Sequence, residues 1–240
     1  MNTGHPHTIC KSCGKASSGE YCPHCGQKMA VHRLSVHELA HEVFHFFTHV
    51  DHGILYTLKK LVVTPGKMQK EFVEGNRMKH QKPFSMFFLT ATLCALIVYW
   101  VDKGLRNYYH IEEADETQFF HQYWVLFQAV LLPLYAVIVY LCFRKAGYNY
   151  GEILVYQLYT FSFLFLLLAL IHLLKLISPH LETRYVELPL FIGYTMITNL
   201  NFFTQMKKWA IVIISLVSIT LIFLFASWVQ DETVRLMYSK

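Results

Sequence analysis

The residues best equipped for chemistry stand near the start of the chain. Cys10-Lys-Ser-Cys13-Gly14 and Cys22-Pro-His-Cys25-Gly26 form two Cys-x-x-Cys-Gly knuckles with eight residues between them. Each pair can place two thiolates on one ion, and the glycine permits the tight turn that aims backbone N–H groups at sulfur. Four thiolates at about 2.3 Å from a shared ion make a closed tetrahedral zinc site of the structural kind. Residues 1–30 are too few to build a core, so metal binding would supply most of their folding free energy. Cys22 and Cys25 also spell a thiol oxidoreductase dithiol, but that chemistry needs a βαβ frame to lower the first cysteine's pKa, and none flanks the motif. Cys94 and Cys142 fall inside apolar runs and read as packing residues.

A second candidate follows. From Ser35 the chain reads Ser-Val-His-Glu-Leu-Ala-His-Glu-Val-Phe-His-Phe-Phe-Thr-His, with Ser35 and Glu38 spaced as a helix capping box. At helical spacing His37, His41, His45, His49 and His52 fall with Glu38 and Glu42 in one arc of roughly 140°, opposite Val36, Leu39, Val43, Phe46 and Phe47. His37-Glu-x-x-His41 and His41-Glu-x-x-His45 overlap as two His-Glu-x-x-His patterns. In a zinc peptidase such a helix supplies two imidazole ligands and a glutamate that activates the bound water. Here Glu38 or Glu42 would be that base, and a third protein ligand must come from elsewhere. The same face also suits a helix lying flat on a cytosolic surface, wet or against anionic head groups. Both readings stay open, as does a second zinc held by His37, His41, His45 and His49 without hydrolysis.

These elements need a platform, and the composition says what kind. The 240 residues are 54% hydrophobic and only 15% charged, against about a quarter charged in soluble domains. Mean hydropathy is +0.32 although the first third of the chain is polar. An all-α polytopic membrane protein is expected, and a soluble enzyme or a nucleic-acid-binding domain is disfavoured. Residues 1–30 lack the apolar run of a secretory signal peptide, so a cytosolic N-terminus is expected. The organisation predicted is a zinc ribbon over 1–30, a His-rich amphipathic helix and basic segment over 31–83, a helical bundle over 84–230 and a short tail over 231–240.

Five spans are predicted, near Phe84–Val101, Tyr123–Phe143, Ile153–Ile177, Leu188–Gln205 and Trp209–Val229. Asn199, Asn201 and Gln205 dilute the fourth. Eleven Lys and Arg precede Pro83, later basic pairs are Arg144-Lys145 and Lys207-Lys208, and the acidic loop carries Glu112, Glu113, Asp115 and Glu116. That alternation places the N-terminus inside and the C-terminus outside. Lys67, Lys70, Arg77, Lys79 and Lys82 are candidates for lipid head-group contact. Glu152, His172 and Lys175, near span ends, are expected to snorkel to the interface. Gln128, Gln157 and Asn199 lie deeper, where interhelical glue is favoured over a transport path.

The Cys-Pro-x-Cys-Gly knuckle, His-Glu-x-x-His-x-x-x-His-x-Asp-x-Gly, Tyr56-Thr57-Leu58-Lys59, Pro65-Gly66, Glu74-Gly-Asn-Arg77 and Lys82-Pro83 together resemble an uncharacterised bacterial family of zinc-ribbon-headed, multi-span membrane proteins, the domain of unknown function 3667. The likeness runs from Cys22 to about Tyr99. His52 stands where that family often has lysine, and Asn76 where it has lysine. The resemblance implies a cytoplasmic-membrane location and the zinc head, and carries over no catalytic residue. The expected role is a non-enzymatic membrane adaptor or scaffold. Its partners would be the bilayer, anionic head groups, a protein at the ribbon and further copies of the chain in a homo-oligomer. A zinc hydrolase and a small transporter are the alternatives.

Overall fold

The computed structural model describes residues 8–37, 39, 53–109, 115–179 and 181–238, with side chains except at 115–122, 237 and 238. The described chain is mostly helical. It opens with a two-stranded antiparallel hairpin, β1 (Thr8–Ile9) and β2 (Ala16–Ser17), in which Thr8 pairs with Ser17 and Ile9 with Ala16. A second, smaller turn is closed by the bridge between Tyr21 and Lys28.

Two short helices come next. α1 (Ile54–Val63) stops before Pro65, whose missing N–H and effect on Thr64 end a helix. α2 (Lys67–Val73) starts after Gly66, where the backbone N–H donates to Gln69 Oε1 over 2.7 Å. Gly66 has φ +80, and a Cβ there would collide with the Thr198 carbonyl oxygen and sit 2.6 Å from Asn201 Cβ. Glycine therefore permits both the turn and the close seat of α1 and α2 on the bundle.

Five long helices follow: α3 (Pro83–Tyr109), α4 (Asp115–Cys142), α5 (Tyr150–Leu174), α6 (Arg184–Phe202) and α7 (Lys208–Tyr238). Pro83 at the first position of α3 gives up an N–H that would have had no helical partner. Asn149 and Glu152 cap α5 reciprocally, the Asn149 side chain accepting from the Glu152 N–H and the Glu152 carboxylate from the Asn149 N–H, each over 2.9 Å. α5 is the central helix: 72% of its most apolar stretch is buried, against 17% for α7 at the periphery. Its widest contact is with α3, and α1, α2, α4 and α6 also pack on it. The outward side chains of α7, such as Ile213, Leu216 and Phe223, are apolar and exposed.

Among the described residues four helices, α3, α4, α5 and α7, are long and apolar enough to cross a membrane. α6, where a fourth span was expected, is a 19-residue helix outside that set, because Arg184, Glu187, Asn199 and Asn201 lower its apolarity. It still runs the length of α5 in the opposite direction. Glu187 near its start lies 3.7 Å from His172 at the end of α5, while Phe202 at its finish packs on Tyr148, just ahead of α5, and on Tyr156 near the beginning of α5. The predicted tail over 231–240 is also different: α7 continues unbroken to Tyr238.

The bundle thus has two distinct ends. At one, the loops after α4 and α6 are locked by Phe143 stacked on Phe203, centroids 3.9 Å apart and planes 5° from parallel. The cysteine head, α1 and α2 sit at this end. At the other, Lys175 reaches Asp102 over 3.4 Å.

Candidate metal centre

The two knuckles fold as near copies of one turn. In the first, Cys10 N–H donates to Lys15 O and Gly14 N–H to Cys10 O, both over 2.9 Å; in the second, Cys22 N–H donates to Gln27 O over 2.9 Å and Gly26 N–H to Cys22 O over 2.8 Å. Gly14 and Gly26 have φ +74 and +73, the left-handed backbone that a side chain would oppose. Facing each other, the turns bring Cys10 Sγ to 3.6 Å from Cys25 Sγ and Cys13 Sγ to 3.5 Å from Cys22 Sγ. All four sulfurs lie within 4.8 Å of one another. A tetrahedron with metal–sulfur bonds of about 2.3 Å has sulfurs about 3.8 Å apart, so the group fits one ion of that kind. Among the described residues it is the one cluster of histidine, cysteine and carboxylate groups close enough to share a metal.

The electrostatics of Cys10 and Cys25 point the same way. The Cys13 backbone N–H, helped by that of Ser12 and by neighbouring thiols, holds Cys10 down to about 6. The Gln27 backbone N–H pulls Cys25 in the same direction, but desolvation and hydrogen bonds with the other three thiols outweigh it and push Cys25 up to about 11. Negative charge enters the cluster readily at one sulfur and is then resisted at another. A bound cation would relieve that conflict.

The head is fastened to the bundle by polar contacts that hydrophobic patterning does not reveal. Arg33 donates from Nε to Glu152 Oε1 over 2.9 Å and from Nη2 to Glu152 Oε2 over 2.6 Å, and Nη2 also donates to Gly147 O over 2.9 Å. Asn149 Nδ2 donates to Leu34 O over 3.0 Å, so the residue that caps α5 also holds the linker. Lys11 Nζ donates to Glu74 O over 2.9 Å, and Arg77 Nη2 to His32 O over 3.0 Å. Arg33 carries no recognisable motif, and its role was missed in the sequence.

Glu152 corrects an expectation. It does not snorkel: its side chain is 5% exposed and is neutralised by Arg33. Lys175 is likewise engaged with Asp102, and His172 faces Glu187. Of the head-group candidates, Lys67 and Lys79 are exposed and Lys82 is half-buried. Lys70 is tied to Thr204 Oγ1 over 2.6 Å, and Arg77 to the linker, so these two have internal partners.

His37 is exposed, and Leu39 beside it is buried. Glu38, His41, Glu42, His45, His49 and His52 lie outside the described residues, and with them both His-Glu-x-x-His patterns. A histidine not singled out by motif, His80, is 4% exposed, and neither ring nitrogen has a hydrogen-bond partner among the described residues. It packs against Tyr56 and Phe72, with centroids 5.3 and 6.2 Å away.

The deep polar residues are mostly occupied. Tyr135 donates to Gln128 Oε1 over 2.7 Å within α4. The Tyr156 hydroxyl donates to Asn199 Oδ1, and Asn199 Nδ2 donates to Ser215 Oγ over 2.8 Å, tying α5, α6 and α7 together. Gln157 is buried on α5.

No curated protein and no solved structure matches the chain. Residues 51–94, from the approach to α1 through the first half of α3, match the model of a family described as protein of unknown function (DUF3667).

Proposed function

We propose that the chain is a non-enzymatic scaffold of a bacterial cytoplasmic membrane, in which a zinc-loaded cytosolic head is held in fixed register on a five-span bundle and offers its outer face to a protein partner. The observation that carries this reading is the bidentate bond between Arg33, just beyond the knuckles, and Glu152, in the first turn of the central helix. A head on a free tether would only be local to the membrane, whereas this one is oriented by the bundle.

Five further features support it. Sulfur-only ligation with no open position suits a structural zinc better than a catalytic one. The head shares its end of the bundle with Arg144, Lys145, Lys207 and Lys208, all exposed, while the acidic residues Glu112, Glu113, Asp115 and Glu116 stand in the sequence between the end of α3 and the first turn of α4; that asymmetry favours a cytosolic head. α6 passes between the same two ends as α5, which favours counting it as a span and, with an odd number of spans, favours a C-terminus outside. Leu55, Val62 and Val63 form an exposed apolar face on α1 beside Lys59, as an interfacial helix would have. The engaged side chains of Gln128 and Asn199 favour glue over a transport path.

Elemental analysis of the purified chain, paired with cysteine labelling of the two termini in spheroplasts, tests the reading. One zinc per chain, lost when Cys10, Cys13, Cys22 and Cys25 are all serine, with the head shielded and the C-terminus labelled from outside, is the expected result. A second zinc that survives those substitutions would transfer the weight to the histidine face. Recovery of the chain in the soluble fraction would remove the scaffold altogether.

A further inference from the structure

A cleft of about 230 Å³ opens where the head's linker, the end of α2 and the loops after α4 and α6 converge, lined among others by Lys11, Arg33, Glu74, Tyr148, Glu152 and Gln205. Its two carboxylates are already compensated. Glu152 accepts from Arg33 and from the Asn149 backbone N–H, and Glu74 lies 3.7 Å from Lys70. Its cations are not exhausted. Arg33 uses Nε and Nη2, leaving Nη1 without a partner among the described residues, and Lys11 Nζ spends one bond on Glu74 O. Gln205, fixed by donating to the Tyr148 hydroxyl over 2.9 Å, lines the same space.

Both loops then add positive charge at their rims. Ala146 follows Arg144 and Lys145, and Gln205 precedes Lys207 and Lys208, all four exposed. An arginine and a lysine whose heads are already immobilised lose little further entropy on meeting a ligand, and planar guanidinium with a neighbouring ammonium suits an anion rich in oxygen acceptors. A water takes about 30 Å³ in the liquid, so the cleft has room for a phosphate carrying a small alcohol such as glycerol.

We propose that this cleft binds a phosphate ester, supplied by the head group of an anionic phospholipid of the adjoining leaflet. The lipid source rests on the reading that this end of the bundle meets the cytosolic leaflet; the phosphate chemistry rests on the cleft alone. Head-group binding here would stabilise the joint between head and bundle, because Lys11 and Arg33 belong to both.

The test uses the full-length, metal-loaded protein in a nonionic detergent, titrated with short-chain phosphatidylglycerol, phosphatidylcholine of equal chain length, glycerol 3-phosphate and inorganic phosphate, read by native mass spectrometry and by melting midpoint. Saturable phosphatidylglycerol binding is expected, with phosphatidylcholine weaker because its choline adds a positive charge. Lys11→Gln should weaken the phosphatidylglycerol complex about tenfold, the size of one charge-assisted bond, while retaining the metal, and Lys11→Arg should restore most of it. Should Lys11→Gln lose its metal, Gln205→Glu, which places a carboxylate in the cleft from an exposed loop, carries the same comparison. Glycerol 3-phosphate or phosphate binding as tightly as the lipid would keep the ester site and overturn its lipid source. No saturable binding by any of the four, or equal binding by wild type and variants, would overturn the site, even for a chain that is membrane-bound and holds zinc.

Discussion

Arg33 and Glu152, separated by 119 residues, meet through two hydrogen bonds of 2.9 and 2.6 Å. The carboxylate is 5% exposed and the arginine 63%, so the pair is buried on one side only. Replacing Arg33 by alanine leaves a buried carboxylate without its cation. A fully buried pair broken in this way loses about 3–5 kcal/mol, and the exposure of Arg33 reduces the expectation to about 1–3 kcal/mol. Arg33→Lys should recover only part, since an ammonium cannot reproduce two parallel bonds plus the one to Gly147 O. Unfolding in detergent gives the magnitude, and faster protease cleavage in residues 29–37 would show that the head has come loose.

The His80 ring predicts a pH dependence. Burial, reinforced by the positive charges of Lys60 and Lys79, brings its pKa down from the usual 6.5 to about 4. The folded ring stays neutral in that interval while an unfolded one takes up a proton. The unfolded state therefore binds more protons, and stability falls as pH drops from about 6.5 toward 4. His80→Phe keeps an aromatic ring against Tyr56 and Phe72 and has no proton to bind. The difference in melting midpoint between wild type and His80→Phe should be small above pH 7 and widen in favour of the variant as pH falls. A constant difference from pH 4 to 8 would exclude His80 as the source.

These two residues also show what was legible in the sequence. The cysteine head was, because metal ligation demands a local spacing and this chain repeats it. The long apolar helices were, because a bilayer-crossing segment declares itself by length and composition. α6 was only partly so: the polar groups that blur its hydropathy, Asn199 and Asn201, bond to Ser215 and to Pro65 O across helices that sequence alone does not bring together. The seat of the head was not legible. Glu152 at a span end looks the same whether it snorkels or receives an arginine from a distant linker, and Arg33 sits in no pattern. His80 was hidden for a similar reason, since burial came from the folding-over of α1 and α2 rather than from its neighbours in sequence.

Gly66 is where that folding-over is most exposed to substitution. Alanine there would combine an unfavourable positive φ with a collision against the Thr198 carbonyl, and backbone cannot move aside as a side-chain tip can. A loss above about 2 kcal/mol is expected, more than the usual single substitution. Gly104, with open space around its missing Cβ and helical backbone, is the control: Gly104→Ala should be neutral or slightly stabilising.

Asn199 distinguishes glue from path. It is 2% exposed and holds Tyr156 on α5 and Ser215 on α7 from its place on α6. Asn199→Ala strands a hydroxyl on each side, and such buried polar groups lose about 1–3 kcal/mol when left unsatisfied, less where they find new partners within the bundle. Asn199→Ala combined with Tyr156→Phe and Ser215→Ala removes the orphans as well as the bond and should return part of that loss. If the residues act as glue, stability follows this order and purified protein in liposomes leaks no more protons or small cations than empty vesicles. If they line a path, the triple variant would abolish a measurable flux, and stability would track the substitutions poorly.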